Sequence, residues 1–127
     1  MFDDLLGINW KFNGRDKDGM DCWGLAIEVY KRNGRVLPEF NVTEDKSETI
    51  QQFVSQEIEF AEKLEQPEPF CFVTFALGSP YVNHIGIVLE DRDQFIHILR
   101  GSQVSIERLS RMSWKQRSRG FFRWKKS

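Results

Sequence analysis

Met20-Asp21-Cys22-Trp23-Gly24-Leu25 is where a polar, glycine-bearing stretch gives way to a helical pattern, and the reading of that junction decides the fold. Lys11 to Met20 carries Gly14 and Gly19 among polar residues and reads as a loop. From Asp21 to Arg32, the apolar residues Leu25, Ile27, Val29 and Tyr30 sit in a helical setting, and Asn33-Gly34 supplies a C-cap signal. Asp21 suits the N-cap, because its carboxylate can accept from the N–H groups of the first turn. Cys22 therefore stands at a helix start. A thiol there faces unpaired backbone N–H groups and the positive end of the helix dipole, both of which favour the thiolate. Gly19 and Gly24 permit tight backbone and close approach by another element.

Upstream, Leu5 to Trp10 reads as a short first helix or turn. Downstream, Ser47 to Gln66 carries Ile50, Phe53, Val54, Ile58, Ala61 and Leu64 at three-to-four spacing, the pattern of an amphipathic helix stopped by Pro67 and Pro69. The remainder is β-rich. Strands are expected over Phe70 to Ala76, His84 to Leu89, Gln94 to Leu99 and Val104 to Ile106, with a hairpin turn at Glu90 to Asp93. Arg111 to Lys115 suits one helical turn and Gly120 to Lys125 a closing strand. Helices first and antiparallel strands after give an α+β class, in one domain spanning residues 1–127.

The chain has two cysteines and two histidines. Cys71, in Pro69-Phe70-Cys71-Phe72-Val73, reads as a small core hydrophobe whose thiol stays protonated. Two cysteines in such different settings argue for reduced thiols rather than a disulfide scaffold. No Cys-x-x-Cys pair is present, so neither a metal site nor a cofactor is expected. Both histidines fall in one apolar segment, Asn83-His84-Ile85-Gly86-Ile87-Val88 and Phe95-Ile96-His97-Ile98. Strand alternation puts His84, Gly86 and Val88 on one face. A four-residue turn brings His97 across from, or diagonal to, His84, so that one imidazole can orient the other. A cysteine on a helix start with two histidines on adjacent strands is the raw material of a thiol hydrolase.

Charge is uneven. Pro38 to Pro69 holds nine acidic and two basic residues, whereas Arg108 to Ser127 holds eight basic residues and none acidic. Trp114, Phe121, Phe122 and Trp124 interleave the basic stretch, which favours a docked strand with solvated Lys and Arg over a nucleic-acid arm. No apolar run approaches the length of a membrane span. Met1-Phe2-Asp3-Asp4 has neither a basic nor an apolar leader segment, so synthesis in the cytoplasm without a signal peptide is expected.

These residues resemble the NlpC-type cell-wall cysteine peptidases, which are papain-like. The resemblance rests on Leu6-Gly7-Ile8-Asn9-Trp10, Asn13-Gly14, Gly19, Asp21-Cys22-Trp23-Gly24-Leu25, His84-Ile85-Gly86-Ile87-Val88 and Phe95-Ile96-His97, in that order, and covers about Leu5 to Leu99. It implies N-terminal helices packed on an antiparallel β-meander. It also implies that Cys22 is the nucleophile, His84 the general base and His97 the orienting third residue. Trp10 stands where the family has a tyrosine near the oxyanion position, and Trp23 stands where it has a small serine. Trp10, Asp21 and Trp23 are thus the expected oxyanion or substrate-binding residues, with the Trp23 ring narrowing or covering the cleft.

The family commonly cleaves the γ-D-glutamyl–diaminopimelate bond of peptidoglycan stem peptides. Its short members resemble phage or prophage tail proteins, so peptidoglycan peptides and other tail subunits are the partners the resemblance implies. The place of action it implies is the cell wall, reached on a virion tail. A thiolate at Cys22 beside a protonated His84 is the expected resting pair. Two rival functions stay open. One is a tail-assembly protein with this fold and little hydrolysis. The other is a thiol acyltransferase or deconjugating peptidase acting on a non-wall amide. A CHAP-type amidase is disfavoured by Phe95-Ile96-His97, since its third residue is usually Glu or Asn.

Overall fold

The helix begins where the N-cap chemistry says it should. The computed structural model describes residues 2–38 and 61–125. Asp21 is extended and its side chain accepts from the Gly24 N–H, which starts α1 over Cys22–Arg32. Asn33 closes it: its N–H reaches the Tyr30 carbonyl and its side chain the Val29 carbonyl at 2.9 Å. Gly34 follows at φ 73°, a left-handed step that glycine takes without strain. In the last turn, Arg32 pairs with Asp4 at 2.7 Å and with Glu28 at 2.9 Å, holding the helix to the N-terminal turn.

Before the helix, β1 (Arg15–Asp16) and β2 (Gly19–Met20) form a two-stranded antiparallel ribbon inside the stretch expected as loop. Leu5 to Trp10 is a turn rather than a helix, and it ends in bridges from Asn9 to Gln103 and from Trp10 to Met20.

The main sheet has six antiparallel strands in the order β3-β8-β4-β5-β6-β7. They are β3 (Ala61–Leu64), β4 (Phe72–Phe75), β5 (His84–Val88), β6 (Gln94–His97), β7 (Ser105–Arg108) and β8 (Ser118–Trp124), with a one-turn helix α2 (Met112–Lys115) before β8. Strands β4 to β7 are the expected meander. Strand β8 then returns to pair with β4, so the basic C-terminal stretch lies inside the sheet. Its apolar residues serve both faces, as an interior strand requires.

The expected helix over Ser47 to Gln66 falls mostly outside the described residues, and its described end is a correction. Ala61–Leu64 is a strand, paired with Trp124 through Phe121. Leu64 packs against the core of which Val73 and Phe75 are members, while Glu62 meets Arg123 at 2.9 Å. Helical spacing of Ala61 and Leu64 is local information; the unpaired edge of β8 is not, and it decides this segment.

Two apolar layers result. Leu25, Ala26, Val29 and Tyr30 of α1 pack with Phe72, Ile85, Ile87, Ile96 and Ile98 on one face. Cys71, Val73, Phe75, Val88 and Phe95 cluster on the other, with Phe121 and Trp114 against them. Each large apolar side chain so buried contributes about 1.5–3 kcal/mol. Tyr30 also donates to the Phe70 carbonyl at 2.6 Å, which ties the helix to the entry of β4.

Candidate active site

Cys22 is the first residue of α1, and its position is set by the ribbon before it. Asp21 Oδ1 accepts from the Gly24 N–H at 2.8 Å and from Arg15 Nη1 at 2.7 Å, and the same Arg15 nitrogen donates to the Gly14 carbonyl at 2.8 Å. This single carboxylate caps the helix and clamps the ribbon to it. The packing is so close that a Cβ on Gly24 would lie 2.1 Å from the Gly14 oxygen, and one on Gly14 would lie 2.3 Å from the Gly19 oxygen. Asp21 thus holds Cys22 in place from behind.

The histidines meet on the sheet. Ile87 pairs with Ile96 and Val88 with Phe95, a register that sets Gly86 opposite His97 and His84 on the diagonal. His84 Nε2 lies 2.9 Å from His97 Nδ1. Gly86 permits this diagonal: a Cβ there would stand 3.0 Å from the Phe95 ring and 3.4 Å from the His97 Cβ. His84 and His97 are 5% and 1% exposed. Phe75 lies against His84, with ring centroids 5.7 Å apart, while Phe95 and Trp114 flank His97, each at 4.8 Å. Ser105, paired with His97 across β6 and β7, sets its Oγ 3.4 Å from His97 Nε2.

Burial holds both imidazoles well below the ordinary value of 6.5, because the charged form loses its water; for His84, repulsion from His97 adds to this. Both rings are therefore neutral near pH 7. That favours a neutral His84 as proton acceptor over the protonated His84 expected from the resemblance. Cys71 is 2% exposed and burial pushes its thiol up to about 11, so it is the core thiol the sequence suggested.

The other expected residues divide. Trp10 is half-buried; its backbone N–H reaches the Ser102 carbonyl at 2.9 Å, and the Arg100 guanidinium lies 5.8 Å from its ring centroid. The bridge to Met20 keeps Trp10 beside the chain that leads into Cys22. Trp23 does not line a cleft. It is 6% exposed, stacks on Phe72 at 5.9 Å and donates to the Pro38 carbonyl at 2.8 Å. Cys22, one residue earlier and about 100° round the helix, is partly buried and packs at the margin of the same core.

Helix α1 packs on β5 and on the ribbon. Its side chains meet the face of Ile85 and Ile87, whereas the two imidazoles lie on the face of Phe75 and Phe95. A thiol on α1 and an imidazole on β5 can meet only around an end of the strand, and His84 is its first residue.

Ser105 and Trp114 were not singled out from sequence as parts of the site, whereas alternation put Gly86 on the face of His84. Nothing local marks Ser105 or Trp114, which reach His97 through the β6–β7 register and the α2 turn.

Residues 7–123 match the NlpC/P60 family. The chain belongs to that family. The NlpC/P60 family is of cysteine-peptidase type. No curated protein matches the sequence. Among solved structures, this NlpC/P60 chain is similar to an NLP/P60-family lipoprotein-like protein from Staphylococcus aureus Mu50 (TM-score 0.66, 21% identity, 97% of this chain and 39% of that one). It is similar to an NlpC/P60 protein from Bacillus cereus ATCC 10987 (TM-score 0.64, 23% identity, 98% and 40%). It is also similar to the NlpC/p60 domain of the peptidoglycan hydrolase SagA (TM-score 0.60, 17% identity, 94% and 89%). At these identities the likeness is one of fold. The chain spans about two fifths of the first two proteins. Among the described residues, no helix is long and apolar enough to cross a membrane.

Proposed function

We propose that this chain is a thiol-dependent hydrolase that cleaves an amide bond in peptidoglycan stem peptides, and that residues 1–127 act as one domain. The observation that carries the reading is the buried 2.9 Å pairing of His84 Nε2 with His97 Nδ1 in a member of the NlpC/P60 family. That contact occupies Nε2 of His84 and leaves Nδ1 to serve a thiol. The capped helix start at Cys22 supplies the thiol.

In this mechanism, neutral His84 takes the Cys22 proton at Nδ1 as sulfur attacks the amide carbon. The charge that forms on His84 is stabilised by the Nδ1 lone pair of His97. The Cys22 backbone N–H and the Trp10 indole N–H donate to the developing oxyanion. His84 then gives its proton to the leaving amine, the amine departs, and water hydrolyses the thioester with His84 again as base. The fold relation to the SagA domain, itself part of a peptidoglycan hydrolase, supports a cell-wall substrate. As the setting we propose a phage or prophage tail, acting at the cell wall.

Purified murein fragments incubated with the protein test the substrate class. Mass spectrometry should show new amine and carboxyl ends within stem peptides, and Cys22→Ala should abolish them. Intact stem peptides with the wild-type protein would overturn the assignment. Recovery of the chain in purified virions would then favour the assembly role.

A further inference from the structure

We propose that Ser105 is a positioning residue: it accepts a hydrogen bond from His97 and thereby favours the tautomer in which His84 can act as base. The inference rests on the reading of His84 as the proton acceptor for Cys22.

A neutral imidazole has one N–H and one bare nitrogen, so each ring of a paired set constrains the next. Across the 2.9 Å contact between His84 Nε2 and His97 Nδ1, one ring donates and the other accepts. If His84 donates, its Nδ1 is bare and can take a proton, and His97 carries its own proton on Nε2. If His97 donates, the His84 proton sits on Nδ1 and the base is blocked. Both orders satisfy the contact between the rings. They differ at the outer nitrogen, His97 Nε2, which faces the Ser105 hydroxyl at 3.4 Å.

A hydroxyl can accept or donate, so the direction of that contact is what separates the two orders. His97 is 1% exposed, and the Phe95 and Trp114 rings cover its flanks. An N–H in such a place without an acceptor costs the desolvation of a buried donor. Ser105 is half-buried, so its own O–H can turn to water while its oxygen accepts. Once His84 has taken a second proton, only one order remains: His84 Nε2–H to His97 Nδ1, and His97 Nε2–H to Ser105 Oγ. The bonds then all point away from the new charge, and charge-assisted bonds are the stronger kind. Serine is short enough to leave room for the ring opposite it in the register of β6 and β7.

Nitrogen-15 NMR of the histidine rings reads the tautomers directly, without any assay of turnover. In the wild-type protein near pH 7, His97 should carry its proton on Nε2 and His84 on Nε2. Ser105→Ala should convert His97 to a mixture of tautomers, and Ser105→Thr, which keeps the hydroxyl, should restore the single form. On murein fragments, Ser105→Ala should lower kcat roughly three- to tenfold, the scale of one neutral hydrogen bond, with KM unchanged and Ser105→Thr close to wild type. A wild-type His97 protonated on Nδ1, or a tautomer that Ser105→Ala leaves unaltered, would overturn the proposal. If the tautomers behave as stated but Cys22→Ala does not change activity, the reading of the thiol fails and the role of Ser105 in ordering the rings stands.

Discussion

Cys22 and Cys71 carry the same side chain in opposite surroundings. Cys71 lies in the apolar layer of Val73 and Phe95 with its thiol held protonated by burial, whereas Cys22 opens α1 and is partly exposed. Limiting iodoacetamide near neutral pH should therefore alkylate Cys22 first, and His84→Ala should slow that reaction if the imidazole takes the thiol proton. Peptide mapping distinguishes the two sites; preferential labelling of Cys71 would remove Cys22 as nucleophile. Trp10 is the second residue whose chemistry can be isolated. An indole N–H donates and cannot accept, so Trp10→Phe removes one donor and keeps most of the ring. Turnover should fall by about one to three orders of magnitude, the scale of losing an oxyanion donor, with little change in Tm. A lowered Tm with unchanged turnover per folded molecule would make Trp10 a structural anchor. The contrast between the two cysteines was legible in the sequence. The place of Trp23 was not, since the identity of its neighbour Cys22 says nothing of its burial; packing on Phe72 puts it in the core.

At the scale of elements, the ribbon and helix form one unit joined by glycines and one carboxylate. Gly24→Ala would set a methyl carbon 2.1 Å from the Gly14 oxygen, a distance no packing tolerates, so the ribbon must move off the helix start. Asp21→Ala loses the cap and the partner of Arg15 together. It should cost about 1 kcal/mol in denaturant unfolding, the usual worth of an N-cap, and should slow alkylation of Cys22 because the first turn frays. An unchanged midpoint and an unchanged alkylation rate would show that the cap does not position the thiol. Helix α1, its caps and strands β4 to β6 followed from local pattern. Strand β3 did not, because Ala61 and Leu64 stand at helical spacing and the choice fell to pairing with β8. The ribbon was too short for periodicity to register.

Over the whole molecule, burial of both histidines links folding to pH. Unfolded, the two rings bind protons at about the ordinary 6.5; folded, they resist protonation because charge would be stripped of water. Between the depressed folded values and 6.5 the unfolded chain binds more protons, so stability is complete above that window and falls as pH drops through it. Tm should decline from pH 7 to pH 5, and His97→Phe should flatten the decline. Asp4, Glu68 and Asp93, whose Arg partners lower their values, titrate below this range and do not obscure it. A Tm independent of pH between 7 and 5 would mean that the rings are not buried as described.

Charge is resolved at this scale as well. Arg123 of the basic stretch pairs with Glu62 across β3 and β8 and with Glu68 in the segment after β3, so part of the asymmetry is answered within the chain. By itself, the sequence determined the helix that begins at Cys22, the class of the fold, the two histidine strands and the contrast between the thiols. Each of these depends on neighbours within one turn or one strand. Only the tertiary structure decided that His97 meets His84 on the diagonal across Gly86, that Ser105 and Trp114 close over it, and that Trp23 is core. Those contacts join residues from separate strands and turns. Strand register and the return of β8 set them; the turn between the histidine strands brings the two rings near each other but leaves across or diagonal open.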